Sequence, residues 1–351
     1  MESSRGRTCY EGILEYWISK YKLFKLEDFF IMKMQGTMNL KKKNIKKNSD
    51  IGKNGSMIKN SNTKKNDSII KNSDMGMQDK MLTFLYKTKI GAVLLNYLTK
   101  PKVSEIAGKF LSTTVSCLII DSFIKANKID MRQFKKKKYL SYNDFFTREI
   151  RPECRPVMMD SDALISPGDG RITAYKITEE SEFTIKNTVY SLKSLLQNEK
   201  LAQKFLNGYC VILRLSVDDY HRYCFIDNGK ILLNVKIDGI LHTVNPIAND
   251  NYHIYKENTR EYTVIQSDNF KTIIQMEVGA LLVGKIVNTK SSGCVLKGAE
   301  KGYFEFGGST IVLFFEENTI KINDSILKNS AAGIETKIKY GEQMGEKCLI
   351  E

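Results

Sequence analysis

A glycine pair directly followed by two hydroxyl residues, Gly307-Gly308-Ser309-Thr310, stands just before the apolar run 311–315. The run predicts a buried strand that begins near the serine. Because Gly308 has no Cβ, the Ser309 hydroxyl could approach its carbonyl closely and attack it. The attack would turn that peptide bond into an ester, and elimination from the ester would cut the chain and leave a dehydroalanine. Loss of ammonia would leave a pyruvoyl group, an electrophile that binds an amine and accepts the electrons released when a carboxylate leaves as carbon dioxide.

A Gly-Gly-Ser triplet alone is most often a turn, so the chemistry needs further residues. Asp169 lies in the turn Ser-Pro-Gly-Asp-Gly-Arg, where it could cap its own backbone or orient an imidazole. His221, in Asp-Asp-Tyr-His-Arg-Tyr-Cys, is a candidate base, although a lone histidine is more often structural. Of the other two histidines, His242 is a second candidate, and the surroundings of His253 indicate a surface loop.

The elements that must position these residues are mostly strands. From about residue 160 the apolar pattern predicts strands, interrupted by one helix at 191–206. The predicted strands are 171–177, 209–216, 231–240, 261–267, 272–278, 281–289 and 310–317. The pattern therefore favours an α+β fold with a β-rich catalytic core of packed antiparallel or mixed sheets.

A helical part is predicted at 80–150. One helix is expected at 81–98, a second from about 103 to 123, and a short helix capped by Ser141 after that. The wide apolar stripes of the first two must be covered by protein or by a membrane. The four lysines at 135–138 fit either a solvated turn or an anionic lipid surface.

The formal net charge of +14 is concentrated in residues 41–72, which hold ten Lys against two Asp. This composition predicts a disordered linker. An alternative with a specific function is attraction of the lysines to anionic lipid. Nucleic acid is a less favoured ligand, because no recognition module accompanies the tract. Aromatic residues at helical spacing near 10–30 predict an amphipathic helix, either an interfacial anchor or a packing helix. Residues 1–79 are thus expected to form a basic, largely disordered extension.

The seven cysteines are scattered and contain no CxxC pair, which argues against a disulfide framework and a structural zinc site. No stretch of about 18 apolar residues is present, so no membrane-spanning helix is expected.

Six blocks in order resemble phosphatidylserine decarboxylase. They are FFTREIRPECRPV, SPGDGRI, DDYHRY, LHTVNPIA, VGALLVGKI and KGYFEFGGST. The resemblance covers residues 80–351 and implies a helical membrane-docking segment at 80–150 before the core at 151–351. The GGST block is a variant of the Gly-Ser-(Ser/Thr) motif at which members of that family cleave themselves.

The resemblance implies a cut between Gly308 and Ser309, giving a β chain that ends at 308 and an α chain of 309–351. Ser309 would become a covalent pyruvoyl group, with no metal and no pyridoxal phosphate. Asp169 and His221 would complete the charge relay that deprotonates Ser309. The implied reaction is decarboxylation of phosphatidylserine to phosphatidylethanolamine through a Schiff base, at the cytoplasmic face of the cell membrane. Peripheral membrane contact is expected, nucleic acid is not, and a homodimer is left open.

The sequence departs from the family at one position. Many members carry a second histidine three residues after the first, and this chain has Cys224 there. A thiol is a poor proton shuttle near neutral pH. We therefore expect His221 to act alone, with His242 as a reserve acid or base, and we consider Arg214 and Arg222 as ligands of the substrate's anionic groups.

Two alternatives remain at this point. One is a pyruvoyl decarboxylase of a soluble amino acid, against which the apolar helices count. The other is a non-catalytic lipid-binding relative, which is supported by Cys224 and by the basic tract. The joint presence of Asp169, His221 and the Gly308-Ser309 pair favours the enzyme.

Overall fold

The computed structural model describes residues 101–178, 180, 182–185, 188–239, 257–279, 285–305 and 309–348. Within them the chain is β-rich, as predicted, and sixteen strands form four sheets whose neighbouring strands all run antiparallel. The predicted helices near 10–30 and at 81–98, the basic tract, the boundary at residue 80, His242, His253 and Gly308 lie outside the described residues.

The strands are short except in the largest sheet. They are β1 Ala163–Ile165, β2 Gly170–Lys176, β3 Glu182–Ile185, β4 Thr188–Ser191, β5 Tyr209–Leu215, β6 Arg222–Cys224, β7 Gly229–Ile237, β8 Arg260–Ser267, β9 Thr272–Val278, β10 Ile286–Asn288, β11 Gly293–Val295, β12 Glu300–Phe304, β13 Ser309–Phe315, β14 Ile320–Ile322, β15 Thr336–Ile338 and β16 Gln343–Lys347. The longer strands coincide with predicted ones. Of the strand predicted at 281–289, the described part contains the three-residue β10, and residues 281–284 lie outside the described residues.

Strand β13 lies inside an eight-stranded sheet of order β11-β7-β8-β9-β13-β5-β2-β15. All seven of its residues are buried, because its alternate side chains enter two different cores. Ile311, Leu313 and Phe315 pack into one core, and Val312 and Phe314 pack into the other. A strand covered on both faces reads as a continuous apolar run, which is why the sequence identified it so readily.

Different elements cover the two faces of this sheet. The face of Ile311 packs against the sheets β10-β12-β6 and β1-β16-β14, through side chains such as Tyr223, Phe304 and Ile322. The opposite face packs against two short helices, α4 Leu192–Leu196 and α5 Glu199–Gln203. The Ile311 face is called the site face below, and the other the helix face.

The remaining α-helices of the described residues are α1 Pro101–Leu111, α2 Ile120–Asn127, α3 Tyr142–Phe146 and α6 Asp324–Ala331. The helix capped by Ser141 is confirmed, since the Ser141 Oγ accepts a hydrogen bond of 3.1 Å from the Asp144 amide. No described helix has the length and apolar character that crossing a bilayer requires.

Two helix predictions were wrong in extent. The helix expected at about 103–123 is divided into α1, a 3₁₀-helix Thr114–Ile119 and α2. The hydroxyls of Ser112, Thr113 and Ser116 bond to nearby carbonyls and compete with the helical ladder.

The helix expected at 191–206 is likewise split into α4 and α5. Gln197 ends α4 in the left-handed region with φ of 49°, and the Asn198 side chain caps α5 by accepting from the Leu201 amide at 3.0 Å. Membrane docking by the helical segment stays a prediction.

Candidate active site

Ser309 is the first residue of β13 and is 1% exposed. It pairs with Leu215 of β5, and its side chain points to the site face because it alternates with Thr310 and shares a face with Ile311. The sheet therefore fixes the direction of the Ser309 hydroxyl before any other residue is considered.

His221 lies in the turn that follows β5 and presents its ring to this hydroxyl. The Ser309 Oγ is 3.4 Å from His221 Nδ1, and His221 Nε2 is 3.0 Å from the Ser216 carbonyl oxygen. A carbonyl only accepts hydrogen bonds, so Nε2 carries the proton and donates it. In the neutral ring Nδ1 is then unprotonated and turns a lone pair toward Ser309. Of the two tautomers, this is the one that can accept the hydroxyl proton.

The protonation state follows from the burial of the ring. His221 is fully buried, and burial together with the positive charge of Arg148 lowers its pKa to about 3, against an opposing effect of the Ser216 hydrogen bond. The imidazole is therefore neutral at physiological pH. Phe146 stacks on it with a centroid separation of 4.1 Å, which holds the ring plane and excludes water.

The turn that holds His221 is itself fixed by polar contacts. The Asp219 carboxylate accepts a 2.7 Å hydrogen bond from the Ser216 amide, and the Arg171 guanidinium donates to the Ser216 hydroxyl at 2.6 Å. The Phe304 amide donates to the His221 carbonyl at 3.0 Å. The position of Nδ1 is thus set by β5, by the turn and by β12 together.

Asp169 precedes β2, and its carboxylate has other partners than the imidazole. It forms a buried two-point ion pair with Arg155, at 2.8 Å to Nε and 2.5 Å to Nη2, and accepts a 2.8 Å hydrogen bond from the Tyr340 amide. Gly170 allows this placement, since a Cβ there would lie 2.6 Å from the Arg214 carbonyl oxygen. The relay role expected of Asp169 stays a prediction.

Cys224, at the position where the family resemblance led us to expect a second histidine, is fully buried in β6 among apolar side chains of the site face. Burial raises the pKa of its thiol to about 12. The thiol therefore stays protonated at neutral pH, and in this structure Cys224 acts as a core residue.

The two arginines considered as substrate ligands lie in different places. Arg214 pairs with Thr310 across the strands, so its side chain emerges on the helix face, where it forms an ion pair with Glu335 at 2.5 Å. Arg222 directly follows His221, contacts Glu300 at 2.8 Å and donates to the Thr147 carbonyl at 2.8 Å.

Sequence reasoning did not single out Arg148. This residue is 2% exposed, and its guanidinium carbon lies 4.3 Å from the Phe134 ring centroid and 4.9 Å from that of Phe145. An available signal was its place in the Phe-Phe-Thr-Arg block, two residues after the aromatic pair of the capped helix. Within the described residues, no group of three or more potential ligands could hold a metal ion.

The chain is similar in sequence to known proteins over the region that contains these residues. The family model described as phosphatidylserine decarboxylase matches residues 142–346. Phosphatidylserine decarboxylase proenzyme 2 of Clostridium acetobutylicum is 49% identical over 266 residues, which is 76% of this chain and 91% of the relative. The phosphatidylserine decarboxylase proenzymes of Clostridium beijerinckii and Clostridium botulinum are 44% identical over 276 and 275 residues, each 77% of this chain and 93% of the relative.

These matches extend over the strands and turns that hold Ser309, His221 and Asp169, and they define the molecule as an enzyme of the decarboxylase class. More narrowly, the chain belongs to the phosphatidylserine decarboxylase family.

Proposed function

We propose that this chain is a proenzyme that cleaves itself between Gly308 and Ser309. The matured protein then converts phosphatidylserine to phosphatidylethanolamine through a Schiff base with the pyruvoyl group made from Ser309. The observation that supports this most directly is the Ser309 hydroxyl 3.4 Å from the unprotonated Nδ1 of a neutral, buried histidine.

In the proposed cleavage the Ser309 Oγ attacks the Gly308 carbonyl carbon, and the hydroxyl proton passes to His221 Nδ1. The C–N bond breaks, and the freed nitrogen takes up a proton, which gives an ester. Loss of the Ser309 Cα proton then breaks the ester C–O bond, leaving a carboxylate on Gly308 and a dehydroalanine on the new chain. Water replaces its nitrogen, which leaves as ammonia. The 3.4 Å separation must shorten to a full hydrogen bond for the first transfer.

The residues present fit the pyruvoyl group, because the only precursor it needs is a serine beside a base, and Ser309 with His221 supplies both. Once formed, the group supplies an electrophilic carbonyl for the substrate amine and accepts the electrons released with carbon dioxide. The chain's own residues have the remaining tasks. His221 Nδ1 is the atom that we assign to proton transfer at the substrate α-carbon, and Phe146 keeps water from the ring.

Asp169 is kept as the third member of the charge relay, as the family resemblance implies. Its carboxylate is near enough to Arg148 to interact with it electrostatically, and Arg148 in turn acts on His221. Its influence on the imidazole would therefore be through space and through the position of the 166–170 turn, since its hydrogen bonds go to Arg155 and Tyr340.

We further propose peripheral docking to the cytoplasmic face of the cell membrane. Leu118 and Leu140 are each 68% exposed. They are close in the fold, because the Cys117 thiol beside the first contacts the Tyr139 carbonyl beside the second at 3.5 Å. The exposed lysines 135–138 directly precede Tyr139 and Leu140 in the chain and suit anionic headgroups.

The experiment that tests the proposal is intact-mass analysis of freshly made protein, with and without hydroxylamine. Two chains, the smaller comprising residues 309–351 and carrying a trappable carbonyl, are expected. Release of carbon dioxide from phosphatidylserine but not from free serine would then separate the lipid enzyme from a soluble amino-acid decarboxylase. A single intact chain with no carbonyl would refute the proposed function.

A further inference from the structure

A cavity of about 200 Å³ opens beside the proposed active site. Its walls come from the capped helix α3, from the segments before and after that helix, and from one residue of β6. The lining residues are Lys135, Lys136, Lys137, Tyr139, Asp144, Thr147, Arg148, Glu149 and Arg222. Five of these nine side chains are cationic and two are anionic.

Three of the five cations already have carboxylate partners. Lys135 contacts Glu149 at 2.6 Å, Lys137 contacts Asp144 at 2.7 Å, and Arg222 contacts Glu300 at 2.8 Å. Lys136 and Arg148 have no ion-pair partner among the described residues. In the described part of the chain the cavity thus has two cations outside any ion pair, the exposed Lys136 and the buried Arg148.

Of these two cations, Arg148 has the more unusual environment. Its Nη1 has one long hydrogen bond, 3.5 Å to the Phe146 carbonyl, and its Nε and Nη2 are buried without a partner in the described part of the chain. Burial lowers its pKa to about 10, so the guanidinium is still charged at neutral pH. A buried cation with unused donors is costly unless a ligand accepts from them. Its stacking between Phe134 and Phe145 fixes the direction of these donors.

Residues that line the cavity are neighbours in sequence of the residues at the proposed active site. Thr147 and Arg148 directly follow Phe146, which stacks on His221, and Arg222 directly follows His221. On the outer side, Tyr139 of the cavity wall adjoins Leu140, one of the two exposed leucines. An amphiphilic ligand could place its apolar part at these leucines and its head in the cavity.

We propose that the cavity is a binding site for a phosphodiester, in which the Arg148 guanidinium binds the phosphate and Lys136 supplies the second positive charge at the entrance. This inference rests on the proposed function, because it makes the phosphodiester that of the serine headgroup. A planar guanidinium matches two phosphate oxygens in a two-point contact.

The serine headgroup carries a carboxylate as well as the phosphate, and the decarboxylation chemistry indicates which of the two Arg148 should bind. The carboxylate loses its charge as carbon dioxide leaves, so a cation bound to it would stabilise the ground state more than the transition state. The phosphate keeps its charge throughout. A buried arginine on the phosphate therefore orients the headgroup without opposing decarboxylation.

The test uses full-length protein with Ser309→Ala, which cannot form the pyruvoyl group, so binding is measured apart from turnover. Calorimetric titration with glycerophosphoserine, a headgroup without acyl chains, is expected to show binding that free L-serine does not compete. Arg148→Gln should weaken it about tenfold or more, as for loss of a charged two-point contact. Lys136→Gln should weaken it about two- to threefold. Arg132→Gln, a surface arginine paired with Asp130, is the matched control and should leave it unchanged.

Absence of glycerophosphoserine binding up to about 10 mM would overturn the proposal, as would equal binding by Arg148→Gln. L-serine binding as tight as that of glycerophosphoserine would also overturn it, by assigning Arg148 to the carboxylate. If Arg148→Gln fails to fold, the Lys136→Gln result decides, and an unchanged affinity there refutes the site. Wild-type protein that never cleaves would refute the proposed function, whereas cleavage with no phosphodiester binding would refute only this assignment.

Discussion

The two faces of the eight-stranded sheet are both buried, yet they treat buried charge differently. On the helix face, Arg260 is 2% exposed and donates to the main-chain carbonyls of Leu195 at 2.9 Å and Asn258 at 3.1 Å. On the site face, Lys301 and Glu277 are both fully buried and pair at 2.6 Å. The buried arginine on the helix face thus holds main-chain carbonyls in place, whereas the buried lysine on the site face pairs with a carboxylate.

A second contrast is between two buried arginines. Arg260 bonds to several carbonyls of its own chain, whereas Arg148, beside His221, keeps two donors unused among the described residues. Equal burial therefore does not mean equal roles. What distinguishes a structural cation from a binding cation is how many of its donors the protein itself satisfies.

The sharpest test of the difference between faces uses two neighbours on β13. Ser309→Ala should abolish self-cleavage completely, because the nucleophile is lost. Thr310→Val removes the adjacent hydroxyl, which points to the helix face and has no partner among the described residues, and it should leave cleavage intact. A denaturing gel distinguishes one chain from two. Loss of cleavage in Thr310→Val would show that the requirement for a hydroxyl is not restricted to the site face.

The next effect concerns the base. His221→Ala should slow cleavage by about 10² to 10⁴-fold, the usual contribution of a positioned base. The matched variant is His242→Ala, which should cleave at the normal rate. Time courses of precursor loss after synthesis would measure both. The reverse outcome would transfer the role to His242.

Asp169 can be separated from its ion-pair partner. If it is a relay member, Asp169→Asn should slow cleavage by about 10²-fold or more, while Arg155→Gln slows it far less. If Asp169 only anchors the turn, both variants should lose similar activity and thermal stability, because each breaks the same buried pair. Cleavage rates and melting temperatures of the two variants, measured together, decide between these roles.

The pH dependence of cleavage tests the environment of His221. With a pKa of about 3, the ring stays neutral down to acidic pH, so the cleavage rate should change less than about twofold between pH 8 and pH 5. A histidine with the ordinary value of 6.5 would lose about thirtyfold over that range.

The lowered pKa of His221 also makes the stability of the folded protein depend on pH. Because the folded-state pKa lies below the unfolded one, this histidine's contribution to stability is present above pH 6.5 and is lost as pH falls toward 3. Less acid sensitivity of unfolding in His221→Gln than in wild type would support the shift, and equal sensitivity would contradict it.

The smallest effect is expected at Cys224. Cys224→Ala should cleave within about twofold of wild type and should lose about 1 to 2 kcal/mol of unfolding free energy, since it empties a small part of the core. Chemical denaturation and the gel assay measure the two quantities. A strong loss of cleavage without loss of stability would mean that the thiol takes part in proton transfer after all.

Much of the fold could be predicted because its central strands are covered on both faces. The apolar runs of β5, β9 and β13 leave little ambiguity, and the Ser141 cap identified α3. Several of the missed strands, β1, β6 and β14 among them, have three residues, too few for a periodic pattern. The missed strands β12 and β16 have five residues each. Hydroxyl side chains that bond to the backbone divided α1 from α2, and composition alone does not reveal such bonds.

The site was only partly predictable. Its residue types and motif order pointed to Ser309 and His221, and the structure brings those two together. The tautomer of His221 could not be predicted, because it depends on the Ser216 carbonyl, five residues away in a turn. Arg148 was not singled out, because its place in the Phe-Phe-Thr-Arg block does not reveal its burial or its unused donors.

Placing Ser309 at the very start of β13 has a consequence for assembly. In a protein cut before this residue, the small chain would keep β13, between β5 and β9, together with β14, β15 and β16, which pair in two different sheets. The two pieces would stay interlocked although nothing covalent joins them. Once denatured they would have to find each other by diffusion, so the cut protein should refold far less readily than the uncut precursor.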